Sequence, residues 1–297
     1  MTAPLCVKCG TGVQDNLSGV ERPVQFAVRG DGGARYEVVQ SLAKWKRLAL
    51  YRYGFGRGEG IYTDMNALRP DEESLDNTHS VYVDQWDWEL AMDEKDRTLY
   101  FLKDLVRGIY RCLKRTEFFI YDNYPAIEPV LPDEITFIHA EELYNRYPDL
   151  SPKERESEAT REFGAVFIFG IGYALPDGNL HDGRAPDYDD WITETGNGKR
   201  GLNGDLLVWN AVLGQALELS SMGIRVSPDS MREQLDYRGC PERAELFFHK
   251  KLLAGELTQT VGGGIGQSRL CMFFLRKAHI GETQASVWPD SMIDDCA

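Results

Sequence analysis

Positive charge is scarce in this chain: 33 Lys and Arg stand against 47 Asp and Glu among 297 residues, a formal charge of −14. A dedicated nucleic-acid binder needs the opposite balance, because its affinity comes from neutralising phosphates. Long apolar runs are missing too. The longest, Ala165 to Leu175, is interrupted by Gly170 and Gly172 and falls short of the roughly 20 residues that span a bilayer. No basic segment followed by a long apolar stretch opens the sequence, so the expected location is cytoplasmic, with neither nucleic acid nor membrane as partner. The six cysteines are then expected to be thiols. Only Cys6 and Cys9 have metal-like spacing, and no second cysteine pair or spaced histidine pair completes a zinc set. Cys271, inside the apolar run Leu270 to Leu275, reads as a packed core residue. Repeats, low-complexity stretches and Ser/Gly-rich linkers are absent, so one domain over residues 1–297 is expected.

What is present is an ordinary globular composition, 42% hydrophobic and 27% charged. Strand-like runs come early, at Pro23 to Val28, Tyr36 to Gln40, Gly60 to Leu68 and Ser80 to Trp88. Later ones are expected at Glu134 to Ile138, Ala165 to Ile171, Asp205 to Asn210 and Leu217 to Ser221. Ser41 is a candidate N-cap for a helix carrying apolar residues at 42, 45 and 48. A long helix is expected over Asp93 to Ile120, with Leu99, Leu102, Leu105, Val106, Ile109 and Leu113 forming one core-facing stripe. Further helices are read at Ser151 to Phe163, Ser227 to Leu235, Pro241 to Leu253 and Gly266 to Lys277. Strands and helices arrive in clusters. That pattern predicts an α+β fold built on an antiparallel sheet.

Three segments carry the chemistry. The glycine-rich stretch Val261-Gly-Gly-Gly-Ile-Gly-Gln-Ser-Arg269 fits neither the P-loop nor the dinucleotide fingerprint, and reads either as a close-approach loop or as a tight turn before a helix. Arg269 in the first turn of that helix opposes the dipole and therefore calls for an anion nearby. The second segment is Arg69-Pro-Asp-Glu-Glu73 with the strand His79 to Glu89. Alternation puts Val81, Val83, Gln85, Asp87 and Glu89 on one face, which is either a site or a strand end reaching solvent. The third pairs Asp205 with Glu218 on two strands, an acid set able to hold Mg²⁺ through oxygen. Asp187, Asp189 and Asp190 lie in a loop able to close over a ligand. Lys44 and Lys46 are about 200° apart on a helix, so only one of them is expected to face a site.

The segments Ser41 to Arg47, Ala67 to Glu72, His79 to Glu89, Arg184 to Trp191, Glu218 to Arg225 and Gly262 to Arg269, together with Thr11 to Gly19, resemble asparagine synthetase A, the ammonia-dependent aspartate ligase family. The order of these motifs also looks like that of class II aminoacyl-tRNA synthetase catalytic cores. The resemblance implies a synthetase-like antiparallel sheet flanked by helices, a homodimer, and no anticodon-binding domain. It also implies a helix-bearing segment ahead of Ala3-Pro4, which is expected to be absent here. The implied reaction joins L-aspartate and ammonia at the expense of ATP through a β-aspartyl adenylate, with Mg²⁺ as cofactor.

By the same resemblance Asp15, Arg69 and Gln85 are the expected catalytic residues, with Arg69 on the α-phosphate and Gln85 on the reacting carboxylate or the adenylate oxygens. Asp15 is expected either to bind ammonium or the substrate's α-ammonium or to take a proton in the ammonia step. Ser41, Lys46, Asp87, Ser220, Ser221 and Arg269 are expected to contact aspartate. Ser80, Asp189, Asp205, Glu218 and Gly264 join Arg69 and Arg269 as expected nucleotide contacts, Asp205 and Glu218 doubling as metal ligands. Residue 2 is Thr, so the N-terminal cysteine of one common glutamine-using amidotransferase class is missing. Two rivals stay open at this point, a non-catalytic binding paralogue and a tRNA-aminoacylating enzyme.

Overall fold

The computed structural model describes residues 1–71 and 75–296. Glu72 and Glu73 of the acidic segment lie outside the described residues. Strands β1 (Cys6–Lys8), β2 (Gln25–Ala27) and β3 (Arg35–Val38) make a small antiparallel sheet in the order β1-β3-β2. Helix α1 (Ala43–Tyr53) follows, then β4 (Gly60–Leu68), β5 (Tyr82–Ala91) and the long α2 (Leu99–Asn123). Next come β6 (Thr136–His139), α3 (Ala140–Arg146), α4 (Pro152–Phe163), β7 (Ala165–Phe169) and a hairpin of β8 (Glu194–Gly196) with β9 (Lys199–Arg200). The chain continues through β10 (Asn203–Asn210), β11 (Gln215–Ile224), α5 (Pro228–Tyr237), α6 (Phe247–Leu253), β12 (Thr260–Gly266), α7 (Gln267–Phe274) and α8 (Asp290–Cys296).

Seven strands form the main sheet in the order β4-β5-β12-β11-β10-β7-β6. Its pairs are antiparallel except β6 with β7, which run parallel. The α+β expectation holds, with that one edge departing from a purely antiparallel sheet. A parallel partner needs a crossover, and α3 and α4 supply it between β6 and β7.

The two faces of the sheet are coated differently. One buries the α2 stripe, with Leu102, Val106 and Leu113 packed against Phe167, Leu206 and Leu219, and α7 joins them through Leu270 and Phe273. On the other face α1 covers the β4 and β5 end while α3 and α4 cover the β7 and β10 end. Between these two covers a gap remains over the middle strands, bordered by Gln85 and Asp87 of β5, Gly264 of β12 and Glu218 and Ser221 of β11. The functional cleft is that gap.

Local signals explain most boundaries. Ser151 and Ser227 cap α4 and α5 with reciprocal hydrogen bonds and a proline in the first turn. α2 starts at Leu99, capped by Thr98, and not at Asp93, because residues 94–96 form a separate 3₁₀ turn. The expected helix over Pro241 to Leu253 breaks at the extended Leu246 into a 3₁₀ turn and α6. Cys271 is exposed, not a core residue, since the buried face of α7 falls on Leu270, Met272 and Phe273. Among the described residues no helix is long and apolar enough to cross a membrane.

Candidate active site

Three strands make the floor of the cleft. Along β5 the residues Gln85, Asp87 and Glu89 share one face, as alternation predicts, and stand opposite Gly266, Gly264 and Gly262 of β12. Gln85 and Asp87 line the cleft, while Glu89 lies behind them, held by Arg225. The glycine stretch is thus a central strand, neither a phosphate loop nor a turn. A Cβ at Gly264 would meet Gln85 Oε1 and lie 2.7 Å from Asp87 Oδ1, and one at Gly262 would collide with Glu89 and Arg225. Glycine at every second position keeps this strand free of side chains where its neighbour's polar ladder leans across it. Gly264→Ala is expected to leave the fold standing, because the colliding atoms are side-chain ends. It should cost the activity of the cleft about 10- to 100-fold through displaced site groups, read as kcat/KM beside an unchanged melting temperature.

On β11 an extra residue, Leu219, makes a β-bulge where the register against β10 slips between Leu206 and Leu207. Bulges re-aim side chains, and this one lets both Glu218 and Ser221 line the cleft although they are three apart. Ser220 donates from Oγ to the Gly264 carbonyl at 2.8 Å, tying β11 to β12.

The cleft comprises a larger cavity of about 610 Å³ and a deeper one of about 230 Å³. Arg69, Gln85, Glu218 and Gly264 line both, so the two are continuous. The larger one also meets Ser80, Ser220 and Arg269, and the deeper one Ser41, Lys46, Asp87, Asp189 and Ser221. Arg69 donates from Nε and Nη2 to the Gln40 carbonyl at 3.2 and 3.1 Å, which fixes the plane of its guanidinium. Arg269 donates to the Thr78 and Glu218 carbonyls, both at 3.2 Å, spanning the larger cavity from β11 to the start of β5. Ser80 donates to Ser286 Oγ at 2.6 Å.

Buried ion pairs hold the deep end. Lys46 donates to Asp87 Oδ2 at 2.9 Å and to the Gly263 carbonyl at 3.0 Å, with Glu89 a further 3.9 Å contact. Lys44 turns the other way, to Asp187 at 3.0 Å, so of the two lysines only Lys46 lines the cavity. Arg225 grips Glu89 with two guanidinium arms and Asp189 with the third. Burial raises the carboxyl pKa of Glu89, but Arg225 and Lys46 outweigh it and the net direction is down. For Asp189 burial prevails over Arg225 and the net direction is up. The partners differ because Glu89 receives two arms of Arg225 and also faces Lys46.

The structure moves several residues from their expected settings. Asp15 does not line either cavity: its oxygens accept from the backbone N–H of Ala43 and Lys44 at 2.5 and 3.3 Å. It caps α1 from a distant loop, and Ser41 is not the cap, because the N-cap position is Leu42. Ser41 stands between, lining the deep cavity beside Asp15. Asp187 and Asp190 are no solvated lid: Asp187 is held by Lys44 and His249, Asp190 by Arg97 and the Thr193 hydroxyl. Asp205 is bound by Arg184 through Oδ2, while its buried Oδ1 has no hydrogen-bond partner. Burial, opposed by Arg184 and helped by Glu218, pushes its pKa up to about 6. Among the described residues no three His, Cys, Asp or Glu side chains converge as a metal cage. Magnesium, however, commonly uses one or two carboxylates plus substrate phosphates. Glu218 lines both cavities, while Asp205 lines neither and offers one buried, unpartnered oxygen from the neighbouring strand.

Sequence reasoning placed Glu89 on the candidate face but passed over its partner Arg225, and passed over Arg184. The legible signal was the two-residue spacing of Ser221, Gly223 and Arg225, which continues the cleft face past the end of β11.

A seven-stranded sheet of this order, with a bulged strand and a glycine strand at its centre, has the class II aminoacyl-tRNA synthetase-like fold. Solved structures agree on the fold. The asparaginyl-tRNA synthetase of Pyrococcus horikoshii complexed with asparaginyl-adenylate superposes with a TM-score of 0.68 at 17% identity, over 97% of this chain and 64% of that one. The Entamoeba histolytica asparaginyl-tRNA synthetase gives 0.64 at 16% identity, over 96% and 61%. This chain therefore spans less than two thirds of either synthetase. The sequence profile of aspartate-ammonia ligase matches residues 1–297, and the aspartate–ammonia ligase of Parabacteroides distasonis is 58% identical over 292 residues, 98% of this chain and 84% of that protein. The chain belongs to the aspartate–ammonia ligase family.

Proposed function

We propose that this enzyme makes L-asparagine from L-aspartate, ammonia and ATP in two steps. What supports this most is the meeting of Arg69, Gln85 and the Lys46–Asp87 pair on one cleft floor in a chain of this family. In the first step a side-chain oxygen of aspartate attacks the α-phosphorus of ATP. An O–P bond forms, the bond to pyrophosphate breaks, and β-aspartyl-AMP results. Two anions must approach, so the cleft has to supply positive charge and hydrogen-bond donors in fixed places. Arg69 holds the α-phosphate. Gln85 donates to the reacting carboxylate, Lys46 faces a substrate carboxylate, Asp87 faces the α-ammonium, and Asp189 borders the nucleotide. Ser41, Ser220 and Ser221 line the aspartate end. Arg269, Ser80 and Gly264 border the nucleotide. Glu218 and Asp205 would hold Mg²⁺, which when bound offsets the charge of the phosphates.

In the second step nitrogen attacks the acyl carbon, AMP leaves with the C–O electron pair, and the nitrogen gives up a proton. Asp15 takes that proton, with the Ser41 hydroxyl between it and the cavity. Burial raises its pKa, against the pull of Lys44, to about 6. An acceptor works only when ionised, so asparagine formation expressed per free ammonia, which separates out the titration of ammonium itself, should be half-maximal near pH 6 and fall about tenfold per unit below it. A profile flat down to pH 5 would remove Asp15 from this role.

The reading also includes a homodimer, which sedimentation checks. The test of the whole is pyrophosphate release from ATP with and without aspartate, following asparagine with and without ammonium. Asparagine formed only with ammonium supports it. Aspartate transferred to tRNA, or no pyrophosphate from folded protein, overturns it.

A further inference from the structure

A line of four ionisable side chains runs behind the wall of the deep cavity. His249 Nε2 lies 3.0 Å from Asp187 Oδ2, Lys44 Nζ donates to the same oxygen at 3.0 Å, and that ammonium is 3.9 Å from Asp15 Oδ1. All four are buried. Burying charge costs several kcal/mol per ion unless it is matched, so such a line is weak as a stabilising device and invites another explanation. Its geometry has a pivot. Two carboxylates compete for one ammonium, and Asp187 has the shorter contact.

His249 decides how strongly Asp187 competes, since it gives that carboxylate a second partner. The imidazole has little room to turn: a Cβ on Gly12 would lie 2.7 Å from its Nδ1, and Phe248 packs edge-on against the ring. The groups facing Asp15 are Lys44 and Ser41 from the α1 side, Asp187 and Tyr188 from the segment before Trp191, and Arg225 past β11. Arg243 approaches Asp187 at 3.8 Å from the 3₁₀ turn ahead of α6.

We propose that Lys44, shared between Asp187 and Asp15, sets the charge of Asp15, and that Asp187 and His249 are positioning residues for the amination step. This rests on the reading that Asp15 accepts the amination proton. The consequence has a sign. Without His249, Asp187 leans harder on Lys44 and draws it from Asp15, which then holds its proton to higher pH. With Asp187 neutral, Lys44 is free to lean toward Asp15 and a nearby negative charge is gone, so Asp15 ionises at lower pH.

The experiment is the pH profile of asparagine formation per free ammonia, at saturating ATP and aspartate with total ammonium varied at each pH. His249→Ala should move the acid limb up by about half to one unit, Asp187→Asn should move it down by a similar amount, and His249→Gln should restore it by returning an N–H donor. A merely structural role predicts lower activity with an unmoved limb, or shifts of one sign. Either result overturns the proposal. Should Asp187→Asn fail to fold, the His249→Ala and His249→Gln pair decides alone, since equal limbs in both overturn it. Asp15→Asn separates the two layers. If it keeps the wild-type limb, the role of Asp15 falls and the chain with it. If its limb is lost while the other variants keep theirs, the chain alone falls.

Discussion

Arg69→Ala is expected to lower aspartate-dependent ATP–pyrophosphate exchange by about 10³-fold, roughly 4 kcal/mol of transition-state stabilisation, with the melting temperature little changed. Arg69 sits where β4 ends, half-buried, and it lines both parts of the cleft. Its Nε and Nη2 donate to one carbonyl, Gln40 O, so the guanidinium is oriented before any ligand arrives. Such preorganised donors count for more in the transition state than in water because they need no rearrangement as charge develops. The Gln40 amide is itself held from behind by Gln14 Oε1 at 3.1 Å. Arg69→Lys keeps the charge and loses the planar fork, so it should recover only part of the rate. The fold should tolerate either change, since water can reach the vacated carbonyl. Near-normal pyrophosphate release from Arg69→Ala would remove this residue from the mechanism.

How far the sequence alone reaches depends on the range of the interaction that fixes each feature. β4 runs Gly60–Leu68, as its alternation predicts, and α4 follows its Ser-Pro start because the cap and its acceptor are three residues apart. The face of β5 was legible for the same reason, alternation being a property of consecutive residues. β12 was not. Three glycines in a row read as a turn by any local rule, and the strand exists only because β5 and β11 pair with it on both sides. What selects glycine there is the ladder of Gln85, Asp87 and Glu89, more than 170 positions away in the chain by the residue numbers. The α1 cap has the same character: Ser41 looks right locally, yet it is Asp15 that accepts from the first helical N–H, that of Ala43, 28 residues further along the chain. Family resemblance supplied Arg69, Gln85 and Lys46 as site residues, and the geometry gathers them around one cleft. It offered less for Arg225, whose partners Glu89 and Asp189 become visible only when three elements meet.

That cluster yields the largest expected effect on stability. Arg225→Leu should destabilise the fold by about 3–5 kcal/mol, because it strands two buried carboxylates. The guanidinium donates to Glu89 at 3.0 and 2.8 Å and also binds Asp189, while the Arg225 carbonyl accepts from Arg97 at 2.6 Å. Burial lowers its pKa, yet Glu89 and Asp189 outweigh burial and carry it above the ordinary arginine value. The pH dependence of the loss carries the diagnosis. In the parent protein the Glu89 pKa is depressed, so its contribution is present above the unfolded carboxylate range and fades as pH falls through the folded value. In Arg225→Leu both carboxyls are expected to bind protons more tightly folded than unfolded. Stability should then rise as pH falls toward their raised values, the reverse of the parent's slope at Glu89. Adding Glu89→Gln removes one stranded charge and should restore part of the loss, whereas Arg225→Lys, a point charge in place of a three-armed fork, should fall between parent and Leu. Chemical unfolding midpoints at pH 5 and 8 measure all four proteins. A loss independent of pH would mean that Arg225 acts through packing, and that the charges around the deep cavity are matched by other groups.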